Sequence, residues 1–287
     1  MDGAKTVGII SKPGVPGAER IIADLFRFLG ERGVAVRCDR ETAAYAGRGD
    51  GLSREDVPEG CEFVVVLGGD GTLLAAARAV ASRQIPIFGV NLGALGFLSA
   101  INVDELYPEL ERALRNEHRI GHRRMIRCDV QRGEQTISVF EALNDVVITR
   151  RATAHMIDLD VSVDRHFVCS YKADGVIVCT PTGSTAYSLS AGGPIMFPTV
   201  PAFAITPICP HMLTNRPVIV PDTVLINILC RSADDQAYLS ADGWSEMPLN
   251  RGDRVLCRAS ENAVKLIRPP RLLYFDVLRQ KLKWGER

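Results

Sequence analysis

Three things are absent from this sequence, and each absence narrows what it can be. There is no surplus of either charge: Lys+Arg and Asp+Glu stand at 34 each. The basic excess of a protein that grips nucleic acid through its phosphates is therefore missing, and no nucleic-acid partner is expected. Long apolar runs are missing too. Val7 to Ile10 is too short for a signal peptide or a membrane span, and no later segment reaches spanning length, so no membrane partner is expected. Close cysteine pairs are the third absence. Cys38, Cys61, Cys128, Cys169, Cys179, Cys209, Cys230 and Cys257 are scattered without a CxxC, several of them inside apolar stretches such as Val176 to Cys179. They read as buried free thiols in a reducing cytoplasm rather than as disulfides or zinc ligands. No spacing of His, Cys, Asp or Glu makes a metal site, so no protein metal ligand is expected.

What is present is an ordinary globular composition, 46% hydrophobic and 24% charged over 287 residues, with two domains as the default for that length. In the first 118 residues, short apolar runs alternate with helical spacing. Thr6 to Ser11 reads as a strand and Ala18 to Glu31 as a helix, with Ile21, Ile22, Leu25 and Leu29 on one face. Val34 to Cys38, Phe63 to Leu67 and Ile85 to Val90 read as further strands, and Leu73 to Ser82 and Asp104 to Asn116 as further helices. That alternation predicts a parallel sheet covered by helices. Asp39 to Gly60 is polar and Gly-rich and reads as a variable connection. From about Arg119 to residue 268 the texture is β-rich, with Met125 to Gln131, Ile137 to Phe140, Val146 to Thr149, Ile157 to Val163, Val176 to Cys179, Pro217 to Val220, Val224 to Cys230 and Val255 to Ala259 as candidate strands. This predicts a sandwich or barrel-like second domain, with Pro207 to Pro217 as a rigid loop. Residues 269–287 form a last segment whose helical pattern, Leu272 to Trp284, is placed back on the first domain.

Two stretches carry chemistry. In Val64 to Ala77, VVVLGGDGTLLAAA, an apolar strand enters a glycine-rich turn before a helix. Glycines there let backbone N–H groups approach phosphate oxygens. The sequence lacks the lysine of a P-loop and the spacing of GxGxxG. Asp70 sits inside this anion-binding turn, where a carboxylate repels what its neighbours attract. One reading gives it the attacking hydroxyl of a phosphoryl transfer, positioned in line and deprotonated late. The other makes it a helix cap. The second stretch, Asp174 to Gly193, places seven hydroxyls between residues 180 and 190: Thr180, Thr182, Ser184, Thr185, Tyr187, Ser188 and Ser190. Neutral hydroxyls grip ribose and phosphate without adding charge, and local turn bonds account poorly for so dense a cluster. Asn144-Asp145 is either a ribose-holding pair or a β-turn ahead of a strand. His155, Lys172 and His211 stand alone and carry little by themselves.

Taken together, the pieces GGDGT at 68 to 72, NLGALGFL at 91 to 98, LNDVV at 143 to 147, DGVIVCTPTGSTAYSLSAGGP at 174 to 194 and PICPHMLTNRP at 207 to 217 resemble the NAD kinase family over nearly the whole chain. GGDG also occurs in phosphofructokinases and lipid kinases. The long TPTGSTAYSLSAGG run is the specific part. The resemblance implies α/β plus all-β architecture: a Rossmann-like parallel-sheet domain, a β-sandwich-like domain, and a C-terminal helix packing back on the first. It implies transfer of the terminal phosphoryl of ATP, with Mg2+ held mainly by the ATP, to the 2′-hydroxyl of the adenosine ribose of NAD. It further implies Asp70 as proton acceptor with Gly71 beside it, Asn144 and Asp145 at the adenosine ribose, and His155, Lys172, Asp174 and Asn250 at substrate positions. The run Thr185, Ala186, Tyr187, Ser188, Leu189 and Ser190 then lines the dinucleotide pocket, and a homodimer or homotetramer is expected. Trp244 departs from the DGQ common in the family, and Asp145 stands where Glu is common.

Overall fold

The computed structural model describes residues 5–93, 96–99, 101–151, 155–269 and 273–284. The chain divides into two compact units, one running to His122 and resuming at Ala263, the other comprising Arg123–Asn262. Both changes fall inside long strands, where no shift of composition marks them.

The first unit alternates β1 (Thr6–Ser11), α1 (Ala18–Gly30), β2 (Ala35–Cys38), α2 (Arg40–Tyr45), β3 (Phe63–Gly68), α3 (Asp70–Ala81) and β4 (Ile87–Asn91), then adds β5 (Ile101–Asn102) and α4 (Leu106–Leu114). Its strands are parallel in the order β2-β1-β3-β4, and β5 pairs with the end of β4. β3 and β4 are buried at every residue, as strands covered on both faces must be. The helical periods read from the sequence point inward: Ile22, Leu25 and Leu29 of α1 and Leu106, Leu110 and Leu114 of α4 share a core with Val65 and Phe88.

The polar connection after β2 is more ordered than its composition implies. Asp39 is 1% exposed and caps α2, accepting from the Thr42 amide at 2.9 Å and the Thr42 hydroxyl at 2.6 Å. The same carboxylate accepts from the Ser11 amide at 3.3 Å and pairs with Arg54 at 3.1 Å. One buried charge thus ties β1, α2 and residues beyond Gly51 together. An apolar-period reading has nothing to register there, because the organising group is polar.

The second unit is built from β6 (Arg119–Arg132), β7 (Gln135–Ala142), β8 (Asp145–Arg150), β9 (Ile157–Val163), β10 (His166–Ala173), β11 (Gly175–Cys179), the single-turn α5 (Tyr187–Ser190), β12 (Ala202–Ile208), β13 (Val218–Pro221), β14 (Ile226–Cys230), β15 (Ala237–Ala241), β16 (Ser245–Leu249) and β17 (Arg254–Arg268). One antiparallel sheet runs β10-β9-β14-β17 with the β6/β7 hairpin on β17, and the other runs β13-β12-β11-β8-β15-β16. Ile126, Leu159, Ile226 and Val255 of the first meet Val146, Val176, Phe203 and Leu239 of the second in one core. This is the expected sandwich, with β10, β12, β15 and β16 added to the strands read from sequence. Pro207 belongs to β12 rather than to a loop. It lies opposite Val176 of β11, while β13 pairs only with Ala202 to Ile205. Beyond Ile205 the strand is an edge, where a residue without an N–H breaks no ladder bond.

α6 (Tyr274–Leu282) belongs to the first unit, as the sequence pattern implied. It buries Val277 and Leu278 and sets the Lys281 ammonium 5.8 Å from the Phe97 ring centre. No helix among the described residues is long and apolar enough to cross a membrane.

Removing the Asp39 carboxylate strands the Arg54 charge and the buried amides of Ser11 and Thr42, and takes an acceptor from the Thr42 hydroxyl. Asp39→Ala should therefore destabilise the chain by about 3 kcal/mol. Urea unfolding of the two proteins checks this, and an unchanged midpoint would contradict the anchoring role.

Candidate active site

β3 ends at Gly68, and Gly69 is the N-cap of α3. Asp70, Gly71 and Thr72 are thus the first helical turn, and the phosphate loop read from the pentapeptide contracts to a two-glycine turn. A Cβ on Gly68 would lie 2.4 Å from the Thr72 hydroxyl, so the turn can close only without one. Gly69 and Gly71 face open space. Beside them is a cavity of about 370 Å³ lined by Lys12 and Gly14 after β1, Gly68 and Gly69 after β3, and Asn91 and Gly93 at the end of β4. These are the carboxyl ends of neighbouring parallel strands, at the place where the strand order reverses, which is where open α/β sheets bind nucleotides. Lys12 is the one charged residue of this lining. With the free amides at the start of α3, it makes the cavity suited to phosphate.

Asp70 faces the segment that follows β4. Its Oδ1 accepts from the amides of Leu98 and Ser99, both at 3.1 Å, and from the Ser99 hydroxyl at 3.0 Å, while Oδ2 accepts from the Phe97 amide at 2.8 Å. Asn91 donates to the same Ser99 hydroxyl at 3.2 Å. Gly96 permits this approach, since a Cβ there would sit 2.0 Å from Asp70 Oδ1. α3 receives no side-chain cap, which removes the helix-cap reading of Asp70. A carboxylate offers about two lone pairs per oxygen. Oδ1 is fully engaged and Oδ2 keeps one acceptor position.

In the second unit, Asn144 and Asp145 form the corner entering β8. The amides of Leu143, Asn144 and Asp145 all donate to the Asp242 carboxylate, at 2.8, 2.7 and 3.2 Å. The hydroxyl-rich stretch packs on the same corner. The Thr180 amide donates to the Asn144 carbonyl at 2.9 Å and its hydroxyl to the Leu143 carbonyl at 2.6 Å. Gly183 lies so close that a Cβ would be 2.1 Å from the Asn144 carbonyl oxygen.

Several hydroxyls that the sequence assigned to a ligand are used internally. Ser184 donates to the Pro181 carbonyl at 2.7 Å, Thr185 to the Thr182 carbonyl at 3.4 Å, and Ser188, fully buried, meets Thr206 at 3.0 Å. Local bonding therefore explains more of the cluster than its density implied. Tyr187 and Ser190 are exposed, Ala186 and Leu189 half-buried, and the Thr182 hydroxyl is buried without a partner.

Burial, with the like charge of Asp242 beside it, pushes the Asp145 carboxyl up to about 7. Opposite it on β11, burial pushes the Cys179 thiol up to about 11.

The remaining candidates lie elsewhere in this unit. Asp145 pairs with Cys179 at one end of the β8/β11 ladder, and Thr149 with Gly175 at the other. At that far end, roughly 13 Å away by strand rise, Asp174 is held by Arg150 at 2.7 Å. Lys172, exposed, is opposite Asp158 on β9, and exposed His155 precedes that strand. Asn250 follows β16, its amide donating to Asp253 at 2.8 Å. Among the described residues no three His, Cys, Asp or Glu side chains gather as metal ligands.

Models of the ATP-NAD kinase N-terminal and C-terminal domains match residues 7–118 and 143–269. The chain belongs to the NAD kinase family. NAD kinases of Solibacter usitatus and Koribacter versatilis are 59% and 49% identical to it, each alignment covering 99% of both chains. Among solved structures, a yeast NADH kinase complexed with NADH is similar at 27% identity and a TM-score of 0.90, covering 100% of this chain and 89% of that one. An NAD kinase from Archaeoglobus fulgidus in complex with ATP is similar at 25% identity and a TM-score of 0.79, covering 97% and 98%. Against this NAD kinase background, the residue-level reading singled out none of Lys12, Asn91, Ser99 and Asp242. Asn91 opens the NLGALGFL piece and Ser99 directly follows it, whereas Lys12 and Asp242 are marked by their places at strand ends.

The Asp145 carboxyl keeps a proton in the folded chain that the unfolded chain has lost, so its contribution to stability falls as pH rises from its ordinary value toward 7 and levels off above. Asp145→Asn removes that cost. It should stabilise the chain at about pH 8.5 by up to the order of 4 kcal/mol, and by less at about pH 5. Denaturant unfolding at the two pH values checks the sign, and a gain independent of pH would contradict it.

Proposed function

We propose that phosphoryl transfer in this NAD kinase family member runs from ATP, seated with its phosphates at Lys12 and the Gly68-Gly69 turn, to the 2′-hydroxyl of the adenosine ribose of NAD, with Asp70 Oδ2 accepting the hydroxyl's hydrogen bond. The observation that carries this reading is the one acceptor position left on Asp70 beside a phosphate-suited cavity. A carboxylate fixed by four donors is a rigid director. Rigid direction is what a loose phosphoryl-transfer transition state needs, because the hydroxyl need not be deprotonated before the bond to phosphorus forms. The 2′-oxygen attacks the γ-phosphorus, the β–γ bridging bond breaks to release ADP, and the hydroxyl proton passes to Asp70 late. Mg2+ supplies charge neutralisation when bound. With Lys12 and the Gly68-Gly69 turn lining the cavity, it would be held mainly by the ATP phosphates. The archaeal relative with ATP and the yeast relative with NADH support both ligand classes.

The dinucleotide is held, in this reading, by Asn144, Asp145 and the exposed side of Thr185 to Ser190. His155, Lys172 and Asp174 sit at the opposite end of the β8/β11 ladder. That separation is accounted for if they serve the site of a neighbouring copy in a homodimer or homotetramer. The eight free cysteines support a cytoplasmic location.

Asp70→Asn keeps an oxygen for the three donors at Oδ1 and replaces Oδ2 by an amide that donates. Turnover should fall by about 10²- to 10⁴-fold with the KM for NAD nearly unchanged. Steady-state NADP formation reads this out, and turnover within about tenfold of the unmodified enzyme removes Asp70 from the chemistry. Light scattering should give the mass of two or four chains. A monomer that is fully active would sink the shared-site arrangement.

A further inference from the structure

We propose that Asp242 is a positioning residue of the dinucleotide site, acting through the Leu143–Asp145 corner that its carboxylate holds. The inference rests on the reading of Asn144 and Asp145 as dinucleotide contacts. Three consecutive amides donate to this one carboxylate, and the bond is returned, since the Asp242 amide donates to the Asp145 carbonyl at 3.0 Å. Successive amides converge on a single acceptor only when the backbone turns sharply, so the carboxylate dictates the path of the corner and with it the direction of the Asn144 side chain.

The backbone of Asp242 is itself constrained. It lies at φ +51° and is followed by Gly243 at φ +70°, two left-handed residues in the β15–β16 turn. Asp tolerates that region better than most side chains. At 8% exposure the carboxylate is screened little by water. A purely structural tie between strands would need one acceptor, and β8 already has a continuous ladder with β15.

Asp242 also acts by charge. The titratable groups facing Asp145 are Asp242 from the β15–β16 turn and the Cys179 thiol opposite on β11, and Ser188 of α5 adds a neutral hydroxyl bonded to that thiol. Cys179 is uncharged throughout the working range. Burial does most to raise the Asp145 carboxyl and Asp242 is the charge that adds to it, keeping Asp145 in a protonation balance where a ribose diol is offered both an acceptor and a donor.

The experiment compares Asp242→Asn, Asp242→Glu and Asn144→Ala by steady-state kinetics, with KM for NAD and for ATP measured across pH. Asp242→Asn should raise the KM for NAD by about tenfold or more while leaving the KM for ATP unchanged, because the side-chain oxygen can keep the Asn144 and Asp145 amides only by setting an NH2 donor against the Leu143 amide. The midpoint of the pH dependence of the NAD KM should move to lower pH, since the like charge is gone. Asp242→Glu, which keeps the charge but displaces it, should hold the midpoint near its original position while still raising the KM for NAD. A strand tie without a positioning role would lower thermal stability and move neither quantity. If Asn144→Ala raises the KM for NAD but folded Asp242→Asn leaves the KM and the midpoint unchanged, the inference fails and the contact reading stands. If neither substitution changes the KM for NAD, both fail. Should Asp242→Asn not fold, Asp242→Glu decides, and an unchanged KM for NAD in it overturns the proposal.

Discussion

Strands buried on both faces end in loops whose amides have no ladder partner, and this chain satisfies them with aspartate carboxylates. Asp39, Asp70, Asp242 and Asp253 each accept at least one backbone N–H from a residue outside the strands. An unpaired buried amide costs about 1 to 3 kcal/mol, so a carboxylate that serves several at once fixes a loop more firmly than a neutral side chain would. The candidate residues of each unit depend on that device. Residues 97–99 are drawn onto Asp70, and residues 143–145 onto Asp242.

The device has a chemical consequence that differs between the two. Asp70 spends one oxygen on its loop and leaves a single position on the other, so its geometry is fixed and its remaining acceptor is directional. Asp242 spends its carboxylate on amides and retains a chemical influence only through its charge, which Asp145 feels because both are buried. On the proposed reading, the same residue type directs a hydroxyl in one unit and modulates a neighbour's proton in the other. What decides between them is how many donors each oxygen carries and which group lies beyond.

The layered fold was legible because it rests on apolar periodicity. Ile22, Leu25 and Leu29 announce a helix face, and Val64 to Leu67 a buried strand, before any coordinate is known. α2 and β12 were not legible, for opposite reasons. α2 is organised by a buried Asp39 paired with a half-buried Arg54, charges in a stretch that reads as a polar connection, and β12 carries a proline that reads as a break until β13 is seen to stop at the partner of Ile205. The site was legible in the same uneven way. GGDGT and the hydroxyl-rich run stand out as local motifs, and the family resemblance gave them a substrate. Lys12 and Asp242 are single residues outside the motifs that carry chemistry, and only the place of each at its own strand end gives it a role.

The glycines show why a motif's letters underdetermine its chemistry. Gly69 and Gly71 face open space, as glycines that admit a phosphate should, but Gly68, Gly96 and Gly183 are glycines because protein atoms lie where a Cβ would be. Gly96 exists for the Asp70 carboxylate and Gly183 for the Asn144 carbonyl. In each case the missing side chain lets a loop close on a polar group of the site rather than on a ligand. The glycine-rich pattern that first pointed to phosphate thus records two constraints at once, an opening at Gly69 and close packing around the groups that face it. It is the second that holds Asp70 in one orientation. A loop that merely cradled phosphate would need only the first.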